Sequence, residues 1–486
     1  MARSERPPGQ PRVHPERPSC DWRARTPPAH NNYHDAARSS SPHALCPHLP
    51  EPLHMRCLPH HLRIALVAAI TIATTAVAED WPQWRGPNRD GVVREEGLLS
   101  SLPAGTLTPT WSQPVGSGYS GPTVAEGRVY VTDQVRENVE RVLCFDEATG
   151  KPLWQHEYDA VYTIGYRAGP RASVTIVDGR AFAVGAMGHF HCFDAATGKV
   201  LWQRDLAADY DAAMPIWGIA ASPLVYGDLV IQVAAGQGGA CIVALDIATG
   251  EERWRSLDEP AGYSAPIMIR QGEQDVLVCW TGASISGLEP TTGKVFWSVP
   301  MAVRNMPIGV ATPIVQGDLL FVSSFYDGSM LIRFSQEEPT AEQVWRRIGR
   351  DEQHTDALHC MIGTPLFKGD SIYGVDSYGE LRCLDLATGD RVWEDQTAVP
   401  RNRWATIHIL QHGDREIMLN DQGDLFFTEL APDGYHELSR AHLIDPTKVQ
   451  LSRGNGVVWA HPAIANGCIF ARSDEALTCT SLRADR

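Results

Sequence analysis

Arginine, aromatic and histidine side chains stand just before several short apolar segments of this chain. Six of them could form one site: Arg171, Trp217, Tyr263, Arg403, Trp404 and His461. A guanidinium group binds a carboxylate through two parallel hydrogen bonds, and aromatic rings offer faces on which a planar molecule stacks. The residue types therefore predict a binding site for a planar anion. The alternative is that these side chains line a polar, water-filled funnel.

Other groups of reactive side chains carry weaker signals. His354 and His359 have metal-ligand chemistry, but their spacing matches no structural zinc pattern. His189 and His191 share one face of a strand by alternation, at a hairpin where polar residues are expected anyway. The segment 236–239 is rich in glycine but opens no helix, which excludes a phosphate-binding loop. We therefore assign no metal ligand and no catalytic residue.

A repeated phrase, Asp-x-Ala-Thr-Gly-Lys-x-Leu-Trp, shows which elements position these residues. Its copies follow one another with tryptophans 43 to 52 residues apart. Aspartate accepts hydrogen bonds from the backbone that follows it, and glycine supplies a positive φ, so the phrase predicts a tight turn between two strands. The tryptophan then begins an outer strand and buries its area between neighbouring repeats. The turn and docking residues are Asp146, Gly150, Trp154, Asp194, Gly198, Trp202, Asp246, Gly250, Trp254, Gly293, Trp297, Asp385, Gly389 and Trp393.

This period, with short alternating runs and no helical pattern, predicts an all-β propeller of four-stranded antiparallel blades. Counting inner-strand starts from Ser120 to Pro462 gives eight blades, and counting outer strands also gives eight. The last repeat ends without an outer strand, whereas Trp111 precedes the first inner strand. We therefore expect the segment around Trp111 to complete the last blade and close the ring, which removes exposed strand edges. The candidate site then lies on the axial face, on the loops that enter the inner strands.

The repeat phrase, the inner strands that begin with a small residue and proline, and the segment 81–91 resemble PQQ-like repeat propellers over residues 81–486. The family includes quinoprotein alcohol dehydrogenases, which bind pyrroloquinoline quinone with calcium on the propeller axis. It also includes the lipoprotein propeller of the outer-membrane barrel-assembly machinery, a scaffold without cofactor. This chain has no adjacent cysteine pair like the one that the large dehydrogenases stack on the quinone. The resemblance therefore favours a non-catalytic binding or scaffolding module with no assigned cofactor, and a quinone- and calcium-dependent alcohol dehydrogenase is the alternative.

The ends and the composition suggest an exported protein. Residues 1–54 lack an apolar period and are expected to be disordered, or a mis-assigned extension before Met55. Residues 55–78 have a basic start, a short apolar run and small residues ending at Ala78, as in a secretory signal peptide. Residues 79–108 then lead into a propeller at 109–486. We expect a periplasmic or secreted protein after cleavage near Ala78, without a lipid anchor because Glu79, not cysteine, follows that site.

The net charge of −16 argues against nucleic acid as a partner. A protein or small molecule on the axial face of a monomer is the expected partner. Cys468 and Cys479 could oppose each other in the last hairpin, and the sequence leaves open whether they form a disulfide.

Overall fold

A computed structural model describes residues 79–451 and 454–484. The predicted signal peptide and the segment before it lie outside the described residues. Eight antiparallel sheets of four strands follow one another along the chain, and the described part holds a single short helix. The prediction of an all-β, eight-bladed propeller is confirmed.

The first strand, β1 (Trp111–Pro114), belongs to the last blade. The first four blades are β2 (Thr123–Ala125), β3 (Arg128–Arg136), β4 (Val139–Asp146) and β5 (Pro152–Asp159); β6 (Thr175–Val177), β7 (Arg180–Val184), β8 (His189–Asp194) and β9 (Val200–Asp205), followed by α1 (Leu206–Asp209); β10 (Leu224–Tyr226), β11 (Leu229–Val233), β12 (Ile242–Asp246) and β13 (Glu252–Ser256); and β14 (Ile267–Gln271), β15 (Gln274–Trp280), β16 (Ser284–Leu288) and β17 (Val295–Pro300).

The other four blades are β18 (Ile314–Gln316), β19 (Leu319–Ser324), β20 (Gly328–Phe334) and β21 (Ala341–Arg347); β22 (Leu366–Lys368), β23 (Ser371–Val375), β24 (Leu381–Asp385) and β25 (Arg391–Asp395); β26 (Ile407–His412), β27 (Arg415–Asn420), β28 (Asp424–Ala431) and β29 (Gly434–His442); and β30 (Ala463–Ala465), β31 (Cys468–Arg472) and β32 (Ala476–Ser481). Each blade is numbered by its place in this order.

The burial of the strands explains their sequences. The second strand of a blade packs on both faces against neighbouring blades, so β11 reads Leu-Val-Ile-Gln-Val and is buried throughout. The outermost strand alternates, and in β9 only Trp202 is buried while its neighbours face outward. Apolar clusters therefore form between neighbouring blades, such as the one that joins β7 and β8 to β11 and β12.

The ring closes as the sequence predicts. Strand β1 pairs antiparallel with β32, with Trp111 opposite Cys479 and Pro114 opposite Ala476. The Trp111 indole N–H donates to the Glu147 carbonyl oxygen of the first blade at 2.7 Å. The two ends of the propeller are thus held together by a strand pair and by a side-chain contact to the first blade.

The repeated turn and the tryptophan form one contact between blades. The Asp194 carboxylate accepts hydrogen bonds from the backbone N–H of Thr197 at 2.9 Å and from its hydroxyl at 2.7 Å, and these bonds lower the pKa of Asp194. Gly198 has φ +71° and lies against the ring of Trp154 from the preceding blade. The Trp154 indole N–H donates to the Ala195 carbonyl oxygen at 2.9 Å. With one exception, the other tryptophans of this kind also donate to a carbonyl oxygen at the corresponding turn of the next blade.

Trp297 is the exception among these tryptophans. Its indole N–H donates to the Gln271 side-chain oxygen at 3.0 Å, within its own blade. The next blade has Ser335-Gln-Glu at the place of the repeated turn. The Gln271 side-chain amide in turn donates to the Thr340 carbonyl oxygen of that blade at 2.7 Å, so Gln271 bridges the tryptophan to this segment. The degenerate repeat of the fifth blade thus changes the hydrogen-bond partner of Trp297.

The cysteines of the described residues are all free, including Cys468 and Cys479. These two thiols are hydrogen-bonded to each other, which lowers the pKa of Cys468. Among the residues that the structure describes, no helix has the length and apolar character to cross a membrane.

Candidate functional site

The axial face carries a cavity of about 120 Å³. Every blade contributes to its wall through the loop that enters its inner strand. The blades supply, in order, Tyr119; Tyr166 and Arg171; Trp217; Tyr263; Val310; Met361 and Ile362; Trp404; and Trp459. The inner-strand loops therefore meet at the axis, where the propeller frame holds them at fixed positions.

Aromatic rings form half of the residues that line this cavity, and rings from neighbouring and from non-neighbouring blades contact one another. The ring centroids of Trp217 and Tyr263 lie 5.2 Å apart, those of Tyr166 and Trp404 5.6 Å apart, and those of Trp404 and Trp459 6.3 Å apart. Such distances are typical of stable aromatic pairs. The cavity is thus an aromatic cage with ring faces and edges available to a ligand.

Trp404 is held in an uncommon backbone conformation. Its φ is +72°, which is rare for a bulky residue, and its backbone N–H donates to the Ser377 carbonyl oxygen at 2.9 Å. Strain of this kind persists only where surrounding structure fixes it, and it concentrates at binding sites. The Trp404 side chain is therefore held at a fixed position in the wall of the cage.

Arg171 is the single charged residue among those that line the cavity. Its guanidinium carbon lies 4.9 Å from the centroid of the Tyr119 ring. Its N–H groups donate to the backbone carbonyl oxygens of Gly165, at 3.1 Å, and of Tyr166 and Gly169. Within the described residues, Arg171 forms no ion pair. It brings a positive charge to the cage without an acidic neighbour to neutralise it.

The floor of the cavity comes from outside the repeats. Trp84 lines the cavity, and its indole N–H donates to the Thr312 hydroxyl at 2.8 Å. The guanidinium of Arg89 donates to the carbonyl oxygens of Pro266, at 2.8 Å, and of Ser222 and Pro223, and burial lowers the pKa of Arg89 to about 9. The segment 81–91 therefore lies across the axial channel and fills it below the cage.

Four of the six predicted site residues meet in this cavity: Arg171, Trp217, Tyr263 and Trp404. Arg403 does not line it, because its guanidinium pairs with Glu352 at 2.5 Å and packs on the Trp404 ring at 4.7 Å. His461 does not line it either. It is buried with its ring 5.0 Å from that of Trp84, and its N–H donates to the Pro462 carbonyl oxygen at 2.6 Å. Burial holds the pKa of His461 well below its usual value, so the ring stays neutral.

Sequence reasoning missed Trp84, Tyr119 and Tyr166 as parts of the site. Tyr119 and Tyr166 lie just before inner strands, where site residues are expected, but they stand among small residues and were not singled out. Trp84 lies in a segment that no blade uses, with two tryptophans and two arginines in 81–91. That density of large side chains outside the repeats was the available signal.

The other candidate residues occupy ordinary structural positions. His354 is exposed and bonds Asp351 at 2.8 Å, whereas His359 is buried with Nδ1 bonded to the Phe325 carbonyl oxygen at 2.9 Å. His191 packs at 4.5 Å from the Tyr158 ring, and burial lowers its pKa to about 3. The His189 ring lies 5.6 Å from the ring of the same tyrosine. Within the part of the chain that the structure describes, no three metal-ligand side chains come together.

The residues around the cavity do not fit pyrroloquinoline quinone with calcium. No aspartate or glutamate lines the cavity, so neither a carboxylate ligand for calcium nor a carboxylate base is present there. The quinone carries three carboxylates, and Arg171 is the single cation available to them. Burying carboxylates without partners is costly, so the cage is unsuited to this cofactor.

Comparison with known proteins agrees with the repeat pattern. A family model described as outer membrane protein assembly factor BamB matches residues 88–157 and 138–395. The chain belongs to this BamB family. A comparison of the sequence with curated proteins gave no match.

Three solved structures show that this fold is shared by a BamB protein and by two alcohol-oxidising dehydrogenases. BamB from Moraxella catarrhalis is 18% identical with a TM-score of 0.53, over 77% of this chain and 100% of that one. A quinohemoprotein alcohol dehydrogenase from Comamonas testosteroni is 14% identical with a TM-score of 0.57, over 84% of this chain and 81% of that one. A europium-containing methanol dehydrogenase is 13% identical with a TM-score of 0.58, over 81% of this chain and 90% of that one. At these identities the likeness concerns the fold alone.

Proposed function

We propose that this protein is a non-catalytic binding module of the cell envelope that takes part in outer-membrane protein assembly. One observation carries the proposal: the axial cavity is an aromatic cage with a single arginine and no carboxylate in its lining. A dehydrogenase of this fold needs a base and a metal at the axis, and the chain places neither kind of group there. Binding through ring faces requires only the cage.

The family match supports the cellular role in this proposal. The matching model is described as an outer membrane protein assembly factor, and it covers most of the propeller. The protein would be exported after cleavage near Ala78 and would act as a monomer without a lipid anchor or nucleic acid. A protein or small molecule would bind at the axial face, because the cage is open there and filled from below by Trp84.

The test compares three strains of the native host: a deletion, Trp217→Ala and Ile216→Ala. Trp217 lines the cage, whereas the neighbouring Ile216 does not line it and is 53% exposed, which makes it a matched control. We expect the deletion to lower the amount of folded outer-membrane proteins, Trp217→Ala to reproduce part of that loss, and Ile216→Ala to behave as wild type. A deletion strain with unchanged outer-membrane proteins would contradict the proposal.

A further inference from the structure

The cage contains one charged group whose hydrogen bonding is incomplete. Arg171 uses three of its five guanidinium N–H groups on backbone carbonyls, and these neutral acceptors leave its charge unbalanced. A charged donor with free N–H groups favours a ligand that brings acceptor oxygens.

Two tyrosine hydroxyls of the cage are already engaged. The Tyr119 hydroxyl donates to the Gln450 carbonyl oxygen at 3.0 Å, and the Tyr263 hydroxyl accepts from the Trp217 backbone N–H at 3.4 Å. Burial raises the pKa of both tyrosines, so they remain neutral. Their rings therefore offer apolar faces, and the Arg171 guanidinium is the group that calls for an acceptor on the ligand.

We propose that the axial cage binds an aromatic monocarboxylate, with the carboxylate at Arg171 and the aromatic ring against Trp217 and Trp404. This proposal rests on the proposed function, because it names the ligand class of the same cavity. The carboxylate balances the one unpaired charge, and a charge-assisted hydrogen bond to a guanidinium is stronger than a neutral one. The cavity of about 120 Å³ has room for on the order of ten water molecules, which one ring with a short acid chain would displace.

Other ligand charges fit this cage less well. A cation would meet Arg171, which already occupies the face of the Tyr119 ring. A neutral apolar molecule would leave the Arg171 charge without an acceptor after water is expelled. A tricarboxylate would bring two charges for which the lining has no partner. One carboxylate on an apolar body matches the groups that are present.

The same chemistry could come from a free acid or from the carboxyl end of a peptide that finishes with an aromatic residue. We would titrate wild-type protein by calorimetry with 3-phenylpropionate, with its uncharged amide, and with the peptide Ala-Ala-Ala-Phe bearing a free or an amidated end. We expect each carboxylate to bind at least about tenfold more tightly than its amide. A peptide that binds more tightly than the free acid would assign the source as a chain end, and the reverse order would assign it as a small molecule.

Variants locate the carboxylate within the cage. Arg171→Gln is expected to weaken 3-phenylpropionate at least about tenfold while leaving the amide within about twofold. Arg167→Gln, at an exposed arginine of the same loop, is the matched control and should bind as wild type.

Equal binding of 3-phenylpropionate and its amide by wild-type protein would overturn the proposal without any variant. Failure of both 3-phenylpropionate and the free-ended peptide to bind at millimolar concentration would overturn it as well. An unchanged affinity of Arg171→Gln would overturn the placement of the carboxylate. Neither result changes the outer-membrane phenotype of the deletion strain, so failure of this inference is distinguishable from failure of the proposed function.

Discussion

Replacing Gly198 by alanine tests the docking of tryptophan on the turn of the next blade. Gly198 has φ +71°, and a Cβ placed on it would lie 2.5 Å from Cδ2 of Trp154. Gly179, in another turn of the same blade, has nearly the same φ, +69°, but nothing lies within 4 Å of its Cβ position. The two alanine variants therefore share the backbone penalty, and one of them also clashes.

The expected magnitudes follow from these two contributions. A left-handed conformation costs a non-glycine residue about 1–2 kcal/mol, so Gly179→Ala should lower the free energy of unfolding by that amount. Overpacking adds about 1–3 kcal/mol, so Gly198→Ala should lower it by about 2–5 kcal/mol. The Trp154 ring has little freedom to move away, because its N–H is bonded to the Ala195 carbonyl oxygen at 2.9 Å.

Urea unfolding followed by far-ultraviolet circular dichroism measures both variants. A double-mutant cycle with Trp154→Leu isolates the contact, since a smaller side chain should relieve the clash and make the two substitutions non-additive. Equal destabilisation by Gly179→Ala and Gly198→Ala, or strict additivity in the cycle, would refute the docking contact as we describe it.

Three further substitutions test the closure of the ring, the burial of Asp421, and the filling of the axial channel by segment 81–91. Trp111→Ala should lower the free energy of unfolding, measured by thermal unfolding, by about 3–5 kcal/mol, because it leaves a cavity where the last blade meets the first. Leu438→Ala, at a side chain that is 51% exposed, should change this free energy little. Burial raises the pKa of Asp421 to about 6. Its contribution to stability is therefore full below pH 4 and is lost as the pH rises through 6, so up to about 3 kcal/mol should disappear between these values. Asp421→Asn should remove that part of the pH dependence and the exposed Asp178→Asn should not; identical pH profiles of both variants and wild type would contradict the assignment. Arg89→Met should lower the free energy of unfolding by about 3 kcal/mol, because it leaves carbonyl oxygens in the channel unpaired. It should also speed proteolysis of segment 79–110, and a rate equal to that of wild type would argue that this segment does not fill the channel.

The repeats made the fold predictable from the sequence. Asp194, Gly198 and Trp202 belong to a turn whose chemistry is local, so their spacing alone predicts a hairpin and a docking side chain. Trp111 could be placed in the last blade because it was left over when the strands were counted. These inferences required only the order of residues along the chain.

The site was only partly predictable, since residues before an inner strand can point in either direction. Arg403 and Trp404 are neighbours in sequence, but Trp404 faces the cavity while Arg403 turns to Glu352, which lies in a different blade connection. His461 is covered by Trp84, whose approach depends on the path of segment 81–91 across the channel. Such contacts join residues far apart in sequence and become visible only in the folded chain.

Calorimetric titration of the purified protein with pyrroloquinoline quinone and calcium, followed by a dye-linked alcohol oxidation assay on the same sample, tests most directly whether the axial cage serves binding or catalysis. We predict no stoichiometric binding of the quinone at micromolar concentration and no dye reduction, because the lining holds one arginine and no carboxylate. A complex of one quinone per chain that oxidises alcohols would contradict the account.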